Sequence, residues 1–123
     1  MPTGLHKIDR MLRGGIAPSS ITEVVGAPGV GKTQFSMMMS VIAVEQGRLA
    51  GGSDTRPYGV VYIDTEGGFR IERVLQMART RLATDSTGQI TASHIHYFHI
   101  HNTNDIRQIL FFLTVEGILL NGL

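Results

Sequence analysis

The stretch Gly26-Ala27-Pro28-Gly29-Val30-Gly31-Lys32-Thr33 fits the pattern G-x-x-x-x-G-K-[ST] and constrains this chain more than any other feature. Ile21-Thr22-Glu23-Val24-Val25 before it reads as a short strand. Residues 34–46 after it read as a helix. Strand, glycine loop and helix in that order form a phosphate cradle. The glycines keep side chains out of the way, and the loop N–H groups and helix N-terminus face an anion. In such a cradle Lys32 reaches the β- and γ-phosphates, and the Thr33 hydroxyl ligates Mg²⁺. The competing reading is a glycine-rich turn that binds nothing.

Composition narrows the class. With 123 residues the chain is one domain at most, able to bury about two-thirds of its unfolded surface. Hydrophobic residues at 42% and charged residues at 17% indicate a globular chain. A net charge of +1 does not support nucleic-acid binding by bulk charge. With no cysteine there is no disulfide framework and no thiolate metal site. No apolar run approaches the ~20 residues of a membrane span. The first residues lack the pattern of a signal peptide, so an intracellular protein is expected.

The rest of the chain reads as alternating strands and helices. Leu5, Ile8 and Leu12 form one stripe of a first helix that Thr3 or Gly4 could cap, and Gly14-Gly15 stops it. The helix after the glycine loop is apolar almost all round, so it should be buried, with Met37, Met38 and Met39 as core packing. Residues 47–59 are rich in glycine and read as a surface loop. Val60-Val61-Tyr62-Ile63 reads as a strand buried on both faces of a parallel sheet. A helix follows with Ile71, Val74, Leu75, Ala78 and Leu82 on one face, then a polar break at 84–88. Residues 94–100 read as a third strand. Asn102-Thr103-Asn104-Asp105 then supplies N-cap chemistry for a last helix ending near Gly117. The order predicts an α/β fold with a mostly parallel sheet flanked by helices. There is no internal repeat and no low-complexity segment.

Glu66 is the second candidate for chemistry. It lies just past the second strand, on the side of the sheet where ligands bind in open α/β folds. A carboxylate there can orient the water that attacks a γ-phosphate. It can equally favour the N-terminal dipole of the next helix, and from position alone both roles stand. Asp64 reads as a structural group that must be hydrogen-bonded, or at most as an indirect support for Mg²⁺. His94, His96, His99 and His101 resemble a metal cluster, but alternation along a strand divides them between two faces. The arginines around the second helix could meet phosphate, adenine or DNA, but apart from Arg73 they read as a solvated face.

Several segments together resemble one family. Thr3-Gly4, Ile8-Asp9 and Leu12-Arg13-Gly14-Gly15-Ile16 resemble the start of the ATPase core of RecA/Rad-type recombinases. The glycine loop with Gln34, and Tyr62-Ile63-Asp64-Thr65-Glu66-Gly67-Gly68-Phe69-Arg70 with Glu72-Arg73, resemble that core's next two segments. Within the family the wording is most similar to the eukaryotic C-type Rad paralogues, with B-type paralogues and archaeal RadA as near alternatives. The resemblance implies a partial RecA-like P-loop NTPase core. It implies ATP and Mg²⁺ as cofactors, held by Gly26, Ala27, Pro28, Gly29, Val30, Gly31, Lys32, Thr33, Gln34 and Arg73. Thr33 is then the metal ligand, and Glu66 and Lys32 are the catalytic residues. Arg73 is implied to pack over the adenine.

By the same route the implied function is ATP-dependent DNA repair by homologous recombination in the nucleus. The implied partners are other Rad paralogues, the main recombinase filament, and single-stranded and branched DNA. The family's later apolar strand ending in aspartate (the Walker B strand) and its DNA-binding loops are not found in residues 1–123. The chain is therefore expected to be the N-terminal part of such a domain, with little activity alone and with exposed sheet edges. One alternative is an assembly subunit gated by nucleotide with little turnover. Another is an unrelated P-loop enzyme. A GTPase would show an N-K-x-D motif, which is absent here, and a nucleoside monophosphate kinase an arginine-rich lid.

Overall fold

The structure, a computed structural model, describes residues 1–51, 59–81 and 85–122, with side chains described at 1–49, 59–81 and 85–113. In chain order its elements are α1 (His6–Met11), α2 (Lys32–Gly51), β1 (Val60–Asp64), α3 (Ile71–Arg81), α4 (Gln89–Ser93), β2 (Ile95–His99) and α5 (Thr103–Gly122). β1 and β2 pair in parallel, with Val60 opposite Ile95 and Asp64 opposite His99. Two parallel strands need a crossover connection, and α3 and α4 supply it. Among the described residues no helix is long and apolar enough to cross a membrane.

The core lies on one face of this sheet. Met37, Val41 and Val44 recur on one side of α2 and are buried against Val74 and Ala78 of α3 and Ile95 of β2. Val60, Tyr62, Phe69 and Met77 close its margin. Burying each of the larger apolar side chains contributes roughly 1.5–3 kcal/mol. Met37 and Met39 are buried, as the apolar character of α2 predicts. The expectation that the second strand is buried on both faces does not hold. Val61, which points away from α2 and α3, is 40% exposed, because helices cover only the face carrying Val60 and Tyr62.

A larger correction concerns residues 21–25. They belong to no strand, and Ile21 is 99% and Val25 82% exposed. A strand persists only when a neighbour satisfies its backbone groups. One edge of β1 is taken by β2. Thr22 and Val24 make no ladder with the other edge and instead share the lining of a cavity of about 330 Å³ with Val61, Tyr62 and Ile63 of β1.

Other boundaries differ locally. α2 runs to Gly51, into the expected loop; residues 52–58, like Leu82 and Thr84, lie outside the described residues. α1 buries no residue, and its Leu5 and Leu12 stay exposed at the mouth of a cavity. Thr3 ties this end down instead: its N–H and hydroxyl both donate to Asp9 Oδ1, each at 2.7 Å, and its hydroxyl accepts the Leu5 N–H. α5 starts where the sequence places it, with Asn102 Oδ1 accepting the Asp105 N–H at 3.0 Å, but continues past Gly117 to Gly122.

The short helix α4 was not foreseen, since five residues carry too little periodicity to register. Asp85 builds it. Its carboxylate, almost fully buried, accepts the N–H groups of Ile90 and Thr91 and the Thr91 hydroxyl. Gly88 completes the turn with φ +77°, pressed against α3. A Cβ at Gly88 would lie 2.6 Å from the Leu75 carbonyl oxygen. Gly88→Ala is therefore expected to lower the unfolding free energy by about 2 kcal/mol through backbone strain and clash. An unchanged urea midpoint would contradict this.

Candidate functional site

The glycine loop stands between the exposed segment 21–25 and the start of α2. Gly29 and Gly31 adopt φ +81° and +102°, and a Cβ at either would meet no atom within 4 Å. The loop backbone is thus open to a ligand rather than packed against the protein. The Val30 N–H turns inward to Ala27 O at 3.4 Å, and the Phe35 N–H to Gly31 O at 2.9 Å begins the helical ladder. Lys32 bends back across the loop, and its ammonium donates to the Gly26 carbonyl oxygen. Thr33 sits beside Gly68, whose added Cβ would come within 3.3 Å of the Thr33 methyl group.

Glu66 reaches the same place from β1. Pro28, Gly29, Gly31, Lys32, Thr33, Gln34 and Glu66 line one cleft of about 370 Å³. One cation, one carboxylate, one hydroxyl and the α2 N-terminus therefore converge on a concave space. These groups suit a phosphate with a divalent metal: backbone N–H groups and Lys32 for the anion, Thr33 for the cation. Of the residues implied by resemblance, Gly26, Ala27 and Val30 shape the loop without lining this cleft. A larger apolar cavity of about 480 Å³ lies between α1, the glycine loop and α3, and Lys32, Gln34 and Arg73 reach its wall. Lys32 and Gln34 thus border both spaces, whereas Arg73 borders only the apolar one.

What holds Glu66 in place is Asp64. Its carboxylate is 7% exposed and accepts four hydrogen bonds. Oδ1 takes the N–H groups of Glu66 at 3.0 Å and Gly67 at 2.9 Å; Oδ2 takes the Phe69 N–H at 3.1 Å and the Tyr97 hydroxyl at 2.9 Å. Burial pushes its pKa up, but the hydrogen bonds from Phe69, Tyr97, Glu66 and Gly67 outweigh that and hold it at about 2. The structural reading of Asp64 is the one observed. Tyr97 was not foreseen at all. Its ring stacks on Phe69 at 4.5 Å, and Phe69 meets Tyr62 at 4.8 Å. An aspartate two and three residues before turn N–H groups is an Asx-turn signal legible in the sequence. The tyrosine, 33 residues away, is not.

The histidines come together only in part. His99 and His101 pack ring to ring at 4.6 Å, and His99 lies beside Gly67. His94 precedes β2, with Nδ1 near Ile90 O and Ser93 Oγ. Among the described residues no three possible metal ligands converge. Of the arginines, Arg81 pairs with Glu45 at 3.4 Å, Arg70 folds back on the carbonyls of Gly67 and Phe69, and Arg73 binds Gln34 and Gln76.

Because the folded pKa of Asp64 lies below the ~3.9 of an unfolded aspartate, its contribution is complete above about pH 4 and is lost as pH falls toward 2. Tyr97→Phe removes one donor to the carboxylate, so the acid transition should move to higher pH. An acid titration followed by tyrosine fluorescence or circular dichroism checks this, and an unmoved or lowered midpoint would refute it.

Comparison with known proteins agrees with this arrangement. The family model described as Rad51 matches residues 1–116. "DNA repair protein RAD51 homolog 2" of Homo sapiens is 36% identical over 112 residues, covering 88% of this chain and 28% of that protein. "DNA repair and recombination protein RadB" of Thermococcus onnurineus is 43% identical over 81 residues, covering 66% and 30%. "DNA repair and recombination protein RadA" of Cenarchaeum symbiosum is 48% identical over 80 residues, covering 63% and 18%. The chain thus spans less than a third of the length of these relatives. With the glycine loop, the aspartate-anchored turn and the parallel strand pair in place, the chain belongs to the Rad51 family, and its α/β fold is a partial RecA-like core.

Proposed function

We propose that this chain carries the ATP site of a DNA-dependent ATPase that acts in homologous recombination and double-strand break repair. The observation that carries the reading is the shared cleft: Thr33 and Lys32 from the start of α2 and Glu66 from the end of β1 line one space. In this reading the loop N–H groups and the α2 N-terminus bind the phosphates. Lys32 leaves the Gly26 carbonyl for the β- and γ-phosphate oxygens. The Thr33 hydroxyl would hold Mg²⁺, which would supply positive charge against the phosphoryl oxygens. Glu66 orients the attacking water, its backbone fixed by Asp64. The printed names of the relatives, which speak of DNA repair and recombination, support the biological context. The corresponding partners are other Rad paralogues, the main recombinase filament, and single-stranded and branched DNA, and the corresponding compartment is the nucleus.

The same reading expects little turnover from these residues alone. Among the described residues lining the cleft, Lys32 is the only cation. The segment 21–25 that leads into the loop is unpaired and exposed, so the cradle is held from one side. The expected result is weak, Mg²⁺-dependent ATP binding with little hydrolysis. Lys32→Ala should abolish binding, and Glu66→Gln should preserve binding while removing residual hydrolysis. Calorimetric titration and phosphate release measure the two. ATP binding unaffected by Lys32→Ala would sink the proposal.

A further inference from the structure

Three arginines on or next to α3 are held in three different ways. Arg81 faces the carboxylate of Glu45. Arg70 is folded onto the carbonyls of its own turn. Arg73 is clamped between two side-chain amides. Its Nε donates to Gln34 Oε1 at 2.9 Å, and its Nη1 donates to Gln76 Oε1 at 2.8 Å. Gln34 directly follows Thr33 in the first turn of α2, while Gln76 lies one turn beyond Arg73 on α3.

The chemistry of that clamp is distinctive. A carboxylate partner would fix a guanidinium and neutralise it. Two neutral carbonyl oxygens fix its plane and leave its charge intact. They engage Nε and Nη1, and no described residue takes Nη2. Arg73 is exposed and borders the apolar cavity, so its guanidinium plane and one donor nitrogen remain accessible to a ligand. A planar cation with free faces stacks on aromatic rings. Gln34 borders the phosphate cleft, so the clamped guanidinium stands beside that cleft, on the wall of the adjoining apolar cavity. An exposed, unclamped arginine would have to lose its rotamer freedom on binding, and preorganisation removes that cost.

We propose that Gln34 and Gln76 are positioning residues that aim Arg73 at the nucleotide base, so that the base adds to affinity only while the Gln76 amide holds the guanidinium. This rests on the reading that the cleft takes a nucleoside triphosphate. It assigns a specific role to Gln76, which lines neither the phosphate cleft nor the apolar cavity.

The test compares ATP with inorganic tripolyphosphate, which carries the phosphates and lacks the base. Both are titrated with Mg²⁺ into the complete 123-residue chain and into its Gln76→Leu form. Gln76 is exposed on a helix, so the substitution should leave folding intact, and a thermal melt followed by circular dichroism checks that. Losing one hydrogen bond to the cation predicts ATP binding weakened about threefold to tenfold, with tripolyphosphate binding changed by less than about twofold. Equal weakening of both ligands would mark Gln76 as merely structural and overturn the proposal. So would unchanged ATP binding. A parent chain that binds neither ligand would overturn the nucleotide reading itself, and the positioning role with it.

Discussion

The Asp64 carboxylate is the constraint on which the rest of this molecule depends. It ends β1, sits almost out of solvent, and takes hydrogen bonds from three turn N–H groups and from Tyr97 on β2. A buried charge without such partners would be strongly destabilising. With them, it does three things at once. It closes the turn that carries Glu66, it locks the carboxyl ends of the two strands together, and it seats Phe69 against Tyr62 and Tyr97. Glu66 therefore owes its position in the cleft to a neighbour that does not line it.

A one-sided core explains both the strength and the looseness of the site. Helices α2 and α3 bury one face of β1 and β2, and that contact fixes where α2 begins relative to the end of β1. The glycine loop is anchored on its α2 side by that packing. On its other side the chain forms no strand, is solvated, and only shares the lining of a cavity with β1. The cleft is assembled from elements of unequal firmness, and its carboxylate side is the firmer one.

α3 links the site to the core in a second way. Val74 and Ala78 face inward, while Arg73, on the flank of the helix, donates to Gln34 of α2 and to Gln76 of its own helix. Helix periodicity puts these two sets on different faces. The packing that buries Val74 thereby carries Arg73 to within 2.9 Å of a residue 39 positions earlier in the chain.

The sequence by itself determined the pieces whose physics is local. The glycine loop is legible because backbone conformation and anion binding are encoded within a few consecutive residues. The Asp64 turn and the Asn102 cap are legible because short polar side chains bond to nearby N–H groups. The buried stripe Met37, Val41 and Val44 is legible because helical spacing repeats. The tertiary structure alone decided the long-range pairs: Tyr97 with Asp64, Arg73 with Gln34, and Glu66 with the glycine loop. Each depends on the register of β1 against β2 and on the docking of α2 and α3, which no local signal specifies. It also decided that residues 21–25, strand-like in composition, form no strand. β-propensity describes how a side chain suits a sheet, but only a neighbouring backbone at ladder distance makes one.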